Sequence, residues 1–218
     1  MSFKVDLHTH SIASPDGGLS MRQYKNAIEA GILDCIAITD HNSIDFATQA
    51  YAELGERIIV GEEIMTTKGE IIGLFLKTTV QACQTPEATI AAIKAQEGLV
   101  YIPHPFETIR KGLHPEVLEK IADDVDILEA CNGRAFAQNK GQQALVWAKI
   151  HGVPAAASSD AHGRQGLGRT YTSMPEIPNR TNLLSLLPIS TMYTKRARIR
   201  SLLYPKYHTV KKKITWKS

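Results

Sequence analysis

Short apolar runs that lack polar alternation recur along the chain, separated by stretches with helical spacing. This alternation constrains the fold more than any other feature of the sequence. Runs at residues 3–7, 33–39, 57–60, 70–77, 99–102, 126–130 and 154–157 read as seven strands. Strands apolar on both faces belong to a mainly parallel sheet covered by helices. Between them, Ser20 is a candidate N-cap for a helix ending near Gly31. Ser43 is a candidate cap for a helix to about Leu54, and Thr85-Pro86-Glu87 opens a helix closing by Gly98. Further helices are expected from Pro115 to about Ala122 and up to about Ile150, the last closed by Gly152. Seven strands in some 160 residues favour a closed or nearly closed barrel over a long open sheet.

In parallel α/β folds, functional groups gather at the carboxyl ends of the strands. The first run ends in Asp6-Leu7-His8-Thr9-His10, the second in Thr39-Asp40-His41 and the third in Gly61-Glu62-Glu63. Later runs end in Pro103-His104-Pro105, Glu129-Ala130-Cys131-Asn132 and Ser158-Ser159-Asp160-Ala161-His162. Five of the eight histidines thus follow strands, each beside a carboxylate or another histidine. Two residues apart on an extended segment, His8 and His10 point the same way, as two ligands of one metal must. The same spacing relates Asp160 to His162. Glu63 is a carboxylate able to bridge two ions, and Asp16, in Ser14-Pro15-Asp16-Gly17-Gly18, can fold back over the first strand end. Asp40 and Glu129 are read as partners that orient ligating histidines, and Glu62 as a ligand, an orienting partner or an ordinary ion-pair member. His114, His151 and His208 stand outside the clusters and are read as ordinary core or surface residues.

Composition narrows the function classes. A 218-residue chain, 43% hydrophobic and 22% charged, is long enough for one domain with its own core and is neither disordered nor a disulfide-stapled miniprotein. No apolar run approaches a membrane span, and no secretory leader pattern opens the sequence. Three cysteines without CxxC spacing fit a reducing, cytoplasmic setting. Charge is uneven. Residues 177–218 hold ten Lys or Arg and no acid, leaving 15 basic and 22 acidic residues, a net of −7, in the rest. The expected division is one α/β domain over 1–194 and a basic extension over 195–218. That extension reads as a solvated tail, as a strip docking through Ile199, Leu202, Leu203 and Tyr204, or as a guide for a polyanion such as an oligonucleotide.

Five motifs in order, Asp6-Leu7-His8-Thr9-His10-Ser11, Ile38-Thr39-Asp40-His41-Asn42, Gly61-Glu62-Glu63, His104-Pro105 and Ser159-Asp160-Ala161-His162, resemble those of the polymerase and histidinol phosphatase (PHP) superfamily. Within it the chain is similar to the small stand-alone phosphoesterases. The resemblance implies a distorted (β/α)7 barrel, an α/β fold with two or three divalent ions (Mn, Zn or Fe) at the C-terminal ends of the strands. It places His8, His10, Glu63 and Asp160 on the first ion, and Glu63 and His104 on the second. Asp16, His41 and His162 fall on the third, with Asp160 shared. The chain departs from the pattern at Glu70, which stands where many relatives carry histidine. A carboxylate can replace imidazole on these metals, so Glu70 is read as a ligand. Cys131, at a position some relatives use for metal, is read as packing.

Clustered divalent ions acidify water and neutralise phosphate charge, as phosphoester hydrolysis requires. Glu63, Asp160 and Arg134 are the candidate catalytic residues, Arg134 as a grip on phosphate. Arg110, Lys111, Arg164 and Arg169 fall on the same rim. The expected substrate is a small phosphorylated molecule, with an oligonucleotide second, and no membrane or obligate protein partner is indicated. The competing readings are a metal-dependent amidohydrolase, which shares the barrel and the HxH opening, and a nucleic-acid-binding module that uses the basic end.

Overall fold

The computed structural model describes residues 2–135, 139–195 and 199–215. Its centre is a nine-stranded sheet, ordered β7-β6-β5-β4-β3-β2-β1-β8-β9. Strands β1 (Phe3–Asp6), β2 (Cys35–Ile38) and β3 (Ile58–Thr66) run parallel. β3 then turns back into β4 (Gly69–Leu74), which is antiparallel both to β3 and to β5 (Leu99–Ile102). The parallel order resumes through β6 (Ile127–Asn132) and β7 (Ala155–Ser158). On the other flank, β8 (Thr170–Met174) pairs antiparallel with β1, and β9 (Thr191–Thr194) pairs antiparallel with β8.

The sheet curls into a nearly closed barrel. Thr9 bridges Ala161 in parallel, and the His10 N–H donates to the Ala161 carbonyl at 2.9 Å, tying the outlets of β1 and β7 together. Lower down, Thr172 Oγ1 accepts from the Ala157 N–H and donates to its carbonyl. The strand pattern explains the layers. In β2, Cys35 and Ala37 join a cluster that takes Val5, Ile59, Ile72, Tyr101, Ile127 and Ala156 from other strands, and this fills the barrel. Ile36 and Ile38 face the opposite way, onto Tyr24 and Ala27 of α1 (Met21–Glu29) and Phe46, Ala47 and Ala50 of α2 (Asp45–Leu54). Both Ile side chains are fully buried, and trimming either to Ala costs about 2–5 kcal/mol. A third cluster packs β5 and β6 against α3 (Pro86–Ala95), α4 (Pro115–Lys120) and α5 (Gly141–His151). The short α6 (Leu183–Leu186) sends Leu183 and Leu186 into the barrel cluster. Finally α7 spans Ile199–Thr215.

Local chemistry sets the helix ends. Gln23 Oε1 accepts from the Ser20 N–H at 2.9 Å, and Thr85 Oγ1 accepts from the Ala88 N–H at 3.2 Å ahead of Pro86. Gly152, at φ +67°, closes α5. Three expectations need correction. Ser43 is not the cap of α2, because the residue at the N-cap is Ile44 and Ser43 Oγ instead accepts from the Asp45 N–H. The sheet is more mixed than expected, since β3 runs on to Thr66 as one arm of a hairpin whose two-residue turn leaves no room for a crossover helix. Finally, β8 and β9 extend the seven expected strands. The described residues contain no helix long and apolar enough to cross a membrane.

Candidate metal centre

At the carboxyl ends of β1, β2, β3, β5 and β7 the chain brings five histidines and four carboxylates together. His8 and His10 follow β1, and their Nε2 atoms lie 3.1 Å apart. Glu63, inside β3, stands between the histidines. Its Oε2 is 3.4 Å from His8 Nε2, 3.2 Å from His10 Nε2 and 3.4 Å from His41 Nδ1, and its Oε1 is 3.0 Å from His104 Nε2. Asp160 Oδ1 lies 3.5 Å from His10 Nε2 and 3.2 Å from His162 Nδ1. Glu70 on β4 reaches His104 Nε2 at 3.6 Å and His41 Nδ1 at 3.9 Å. Asp16 folds back as expected, with its carboxylate 3.0 Å from His162 Nε2 and 3.6 Å from His41 Nε2.

The donor atoms form four overlapping groups, within each of which they lie no more than 4.8 Å apart. These are His8/His10/Glu63, His8/His104/Asp160, Glu63/Glu70/His104 and His10/Asp16/His41/His162. The first three are buried and the last opens to solvent through Asp16 and His41. The donor set suits divalent cations. Two imidazole nitrogens face each other among carboxylates, and the buried His41 Nδ1 has no hydrogen-bond partner. Mixed imidazole and carboxylate donors are the chemistry of Zn, Mn and Fe. Glu129 accepts at 3.2 Å from His8 Nδ1, which leaves Nε2 as the free donor towards the centre.

The electrostatics follow from carboxylates buried among imidazoles and a guanidinium. Burial alone would lift Glu63 and Asp160, yet the imidazoles around Glu63, and Arg134 with His8 beside Asp160, hold both well below the usual carboxylate range. Burial would likewise depress His10, but Asp160 and Glu63 carry it up to about 9. Glu70 goes the other way, because burial and the neighbouring Glu63 charge push it to about 8. Positive φ at His104 (+31°), Asp160 (+50°) and Asn42 (+56°) places backbone strain at the same strand ends.

Residues 139–187 match a family model described as PHP-associated. An uncharacterized protein of Methanocaldococcus jannaschii, MJ1587, is 35% identical over 150 residues, covering 62% of this chain and 87% of its own length. A second from that organism, MJ0417, is 33% identical over 183 residues, 80% of this chain and 71% of its own. The chain belongs to the PHP superfamily. A Bacteroides vulgatus two-domain protein, described as containing a predicted PHP-like metal-dependent phosphoesterase, superposes with a TM-score of 0.68 at 19% identity. The match covers 96% of this chain and 70% of that one, and bears on the fold.

Around its PHP centre, the chain treats the remaining candidates unequally. Glu62, next to Glu63, points to the opposite side of β3, where its Oε2 accepts from the Val80 N–H at 2.8 Å, so it is outside the cluster. Asp40 orients no histidine and instead accepts from the Ser11 N–H and hydroxyl, pinning the loop that leads to Asp16. Cys131 belongs to none of the donor groups. His114 and His151 lie outside the cluster too, at the N-cap of α4 and stacked on Trp147. Arg134 does reach the site, with Nη1 3.3 Å from Asp160. Arg164 does not, since it lines a separate groove against α1 with Arg22 and Ile32.

Arg110 proves far more central than a rim residue. Its Nη1 donates to Asp160 Oδ2 at 2.8 Å, and Glu107 grips the guanidinium at 2.9 and 2.6 Å. Glu107, Asn132 and Tyr101 were missed by the sequence reading. Asn132 donates to Glu129 at 2.8 Å and accepts from Arg110, and the Tyr101 hydroxyl donates to Glu129 at 3.0 Å. The only sequence signal for the Glu107–Arg110 pair is an acid and a base three residues apart in the loop after His104. A cleft of about 250 Å³ opens over the centre, with Arg110, Lys111 and Arg134 on its wall beside Glu63, His104 and Asp160.

Proposed function

We propose that this chain is a metal-dependent phosphoesterase acting on small phosphomonoesters, with nucleotides or oligonucleotide ends as the wider substrate class. The observation that carries this reading is the convergence of two guanidiniums, Arg110 and Arg134, on Asp160 in the same cleft as the His and carboxylate donors. A hydrolase for neutral amides has no use for two arginines beside its metal ligands, whereas a phosphate dianion does.

Two or three Mn, Zn or Fe ions fit these donors. His8, His10, Glu63 and Asp160 would hold one, Glu63, Glu70 and His104 a second, and Asp16, His41 and His162, with His10 alongside, a third. Divalent ions supply Lewis acidity and acidify water in such a site. The chain's own residues do the rest. Glu107 fixes the Arg110 guanidinium through Nε and Nη2, so that the Nη1 edge, held here by Asp160 and Asn132, would meet phosphate with little loss of side-chain entropy. Arg134 offers a second set of donors, its Nη1 meeting the same Asp160 carboxylate. Glu129 holds His8 in one tautomer, and Glu63 and Asp160 are shared among the donor groups, so removing either disturbs more than one of them.

The test is a panel of p-nitrophenyl phosphate, nucleoside monophosphates, a short 5′-phosphorylated oligonucleotide and a cyclic amide, run with Mn, Zn or Fe and after chelation. Phosphoester hydrolysis should be lost on chelation and restored by metal. Arg134→Ala should lower kcat/KM by about 100-fold, roughly 2.7 kcal/mol of transition-state stabilisation. Turnover of the cyclic amide without any phosphoester hydrolysis would establish the amidohydrolase alternative instead.

A further inference from the structure

The basic C-terminal segment is not simply appended to the barrel. On α7, Tyr204, His208 and Lys212 recur every four residues on the half-buried side, with Leu202, Pro205 and Thr209, whereas Leu203, Lys206, Tyr207, Val210 and Lys211 are exposed. That face lies on two loops. The Tyr204 ring covers Gly163 so closely that a Cβ there would come within 2.6 Å of it, and Gly163 directly follows His162. The His208 ring sits on Gly18, two residues past Asp16, and leaves no room there for a Cβ. Lys212 Nζ donates to the carbonyls of Ile12 at 2.7 Å and Gly17 at 2.9 Å, and to that of Ser14. Three carbonyls of one loop thus converge on a single ammonium. The loop is otherwise held by Asp40 on Ser11, and its Ser14 hydroxyl donates to Asp16 Oδ1 at 3.0 Å.

We infer that α7 is a clamp for the outermost donor group, and that Tyr204, His208 and Lys212 are positioning residues setting the affinity of the ion held by His10, Asp16, His41 and His162. Asp16 and His162 stand on different loops and meet only at 3.0 Å across the mouth of the site. One helix braces both loops from behind. Among the described residues, the side-chain contacts of α7 fall on residues 12–18 and on Gly163, not on Glu63 of β3 or Glu70 of β4. A loop whose ligand is already in place binds its ion without the entropy cost of ordering the loop, and partners that orient ligands typically set metal affinity by about 10- to 100-fold.

The inference rests on the metal-centre reading, and its test separates the two. Full-length protein, stripped of metal, is titrated with Mn²⁺ by calorimetry and equilibrium dialysis, alongside Tyr204→Ala, His208→Ala and Asp16→Asn. Removing Lys212 would also remove a like charge near the ion, so the uncharged Tyr204 and His208, the latter kept mostly neutral by burial and by Lys212 and Lys211, are the cleaner probes. Asp16→Asn marks which binding step belongs to the outer group. The expected result is that Tyr204→Ala and His208→Ala weaken that same step by about 10- to 100-fold, leave the tighter steps unchanged, and add nothing in the Asp16→Asn background. Amide exchange should also accelerate at residues 11–19 and not in β3. Unaltered Mn²⁺ isotherms and exchange in both variants would overturn the clamp while leaving the metal centre intact. Equal weakening of every step would also overturn it. A full-length protein that takes up no Mn²⁺, Zn²⁺ or Fe²⁺ would overturn the centre and the clamp together.

Discussion

Glu70 is the most informative residue to perturb, because it is the only member of the cluster that should enter metal binding as a neutral acid. Burial and the adjacent Glu63 charge lift its carboxyl from the usual 4.5 to about 8, against the opposing pull of His41 and Lys111. A shift of that size corresponds to roughly 5 kcal/mol against the ionised form. Without metal at pH 7, a group titrating near 8 carries its proton in roughly nine molecules of ten. An ion bound by Glu63, Glu70 and His104 must displace that proton, so uptake at pH 7 should release roughly 0.9 proton from Glu70, falling to roughly 0.1 at pH 9. Imidazoles in the centre release protons as well, but they do so equally in Glu70→Gln. The difference between wild type and Glu70→Gln, measured at saturating Mn²⁺ by calorimetry in buffers of different ionisation enthalpy, therefore isolates Glu70. Apparent affinity in wild type should rise with pH more steeply than in the variant up to about pH 8 and in parallel above it. Glu70→His should bind better than Glu70→Ala, since imidazole returns a donor. Equal proton release by wild type and Glu70→Gln at pH 7 would refute both the elevated carboxyl and its place among the ligands.

Two further outcomes are expected. Asp6, fully buried beneath His8, titrates near 7 instead of 3.8 because of desolvation. Its folded value is raised, so its contribution is fully favourable below pH 3.8 and is lost as pH climbs to about 7. In chelator, Asp6→Asn should therefore gain up to roughly 4 kcal/mol relative to wild type between pH 4 and pH 8, read from urea midpoints, and a pH-independent gap would contradict this. Tyr101→Phe removes a hydroxyl that donates to Glu129 at 3.0 Å and lies 2.8 Å from Ser158 Oγ. It should cost about 1–3 kcal/mol in thermal or urea unfolding, and an unchanged midpoint would mean that Glu129 is satisfied without it.

Much of this architecture is legible because one physical pattern writes both fold and site. Strands covered on both faces must be apolar along their length, so a histidine or carboxylate at the end of such a run marks the place where the chain leaves the core. That rule locates His8, His10, His41, His104, Asp160 and His162 from sequence. It fails where the deciding information is register. Glu62 and Glu63 are indistinguishable as letters, and only the pleat of β3 sends one to Val80 and the other among the histidines. It also fails where the partner is distant along the chain. Arg110 is drawn onto Asp160, 50 residues away, by a loop whose course no periodicity records. The strands β8 and β9, rich in Thr, Ser and Tyr and with every residue of β9 at least partly exposed, carry too little apolar signal to stand out. Among the tail readings, docking through Tyr204 matches the described contacts, and Leu203 is exposed. Arg196, Arg198, Trp216 and Lys217 lie outside the described residues.

The uneven charge of the sequence takes on a structural meaning once these contacts are combined. Much of the acidic surplus of the first 176 residues is not surface charge, because Asp6, Asp40, Glu63, Glu70, Glu129 and Asp160 are all buried at one end of the barrel. A fold that concentrates carboxylates there must neutralise them by some route. Without metal that route is protons on Glu70, His8, His10 and His41, together with the guanidiniums of Arg110 and Arg134 on Asp160. Metal binding would then be an exchange, in which ions would replace protons and would free the two arginines from Asp160 for an anion entering the cleft. If that is how the centre works, phosphate should bind the metal-loaded protein more tightly than the metal-free one, by more than Arg110→Ala or Arg134→Ala alone can remove.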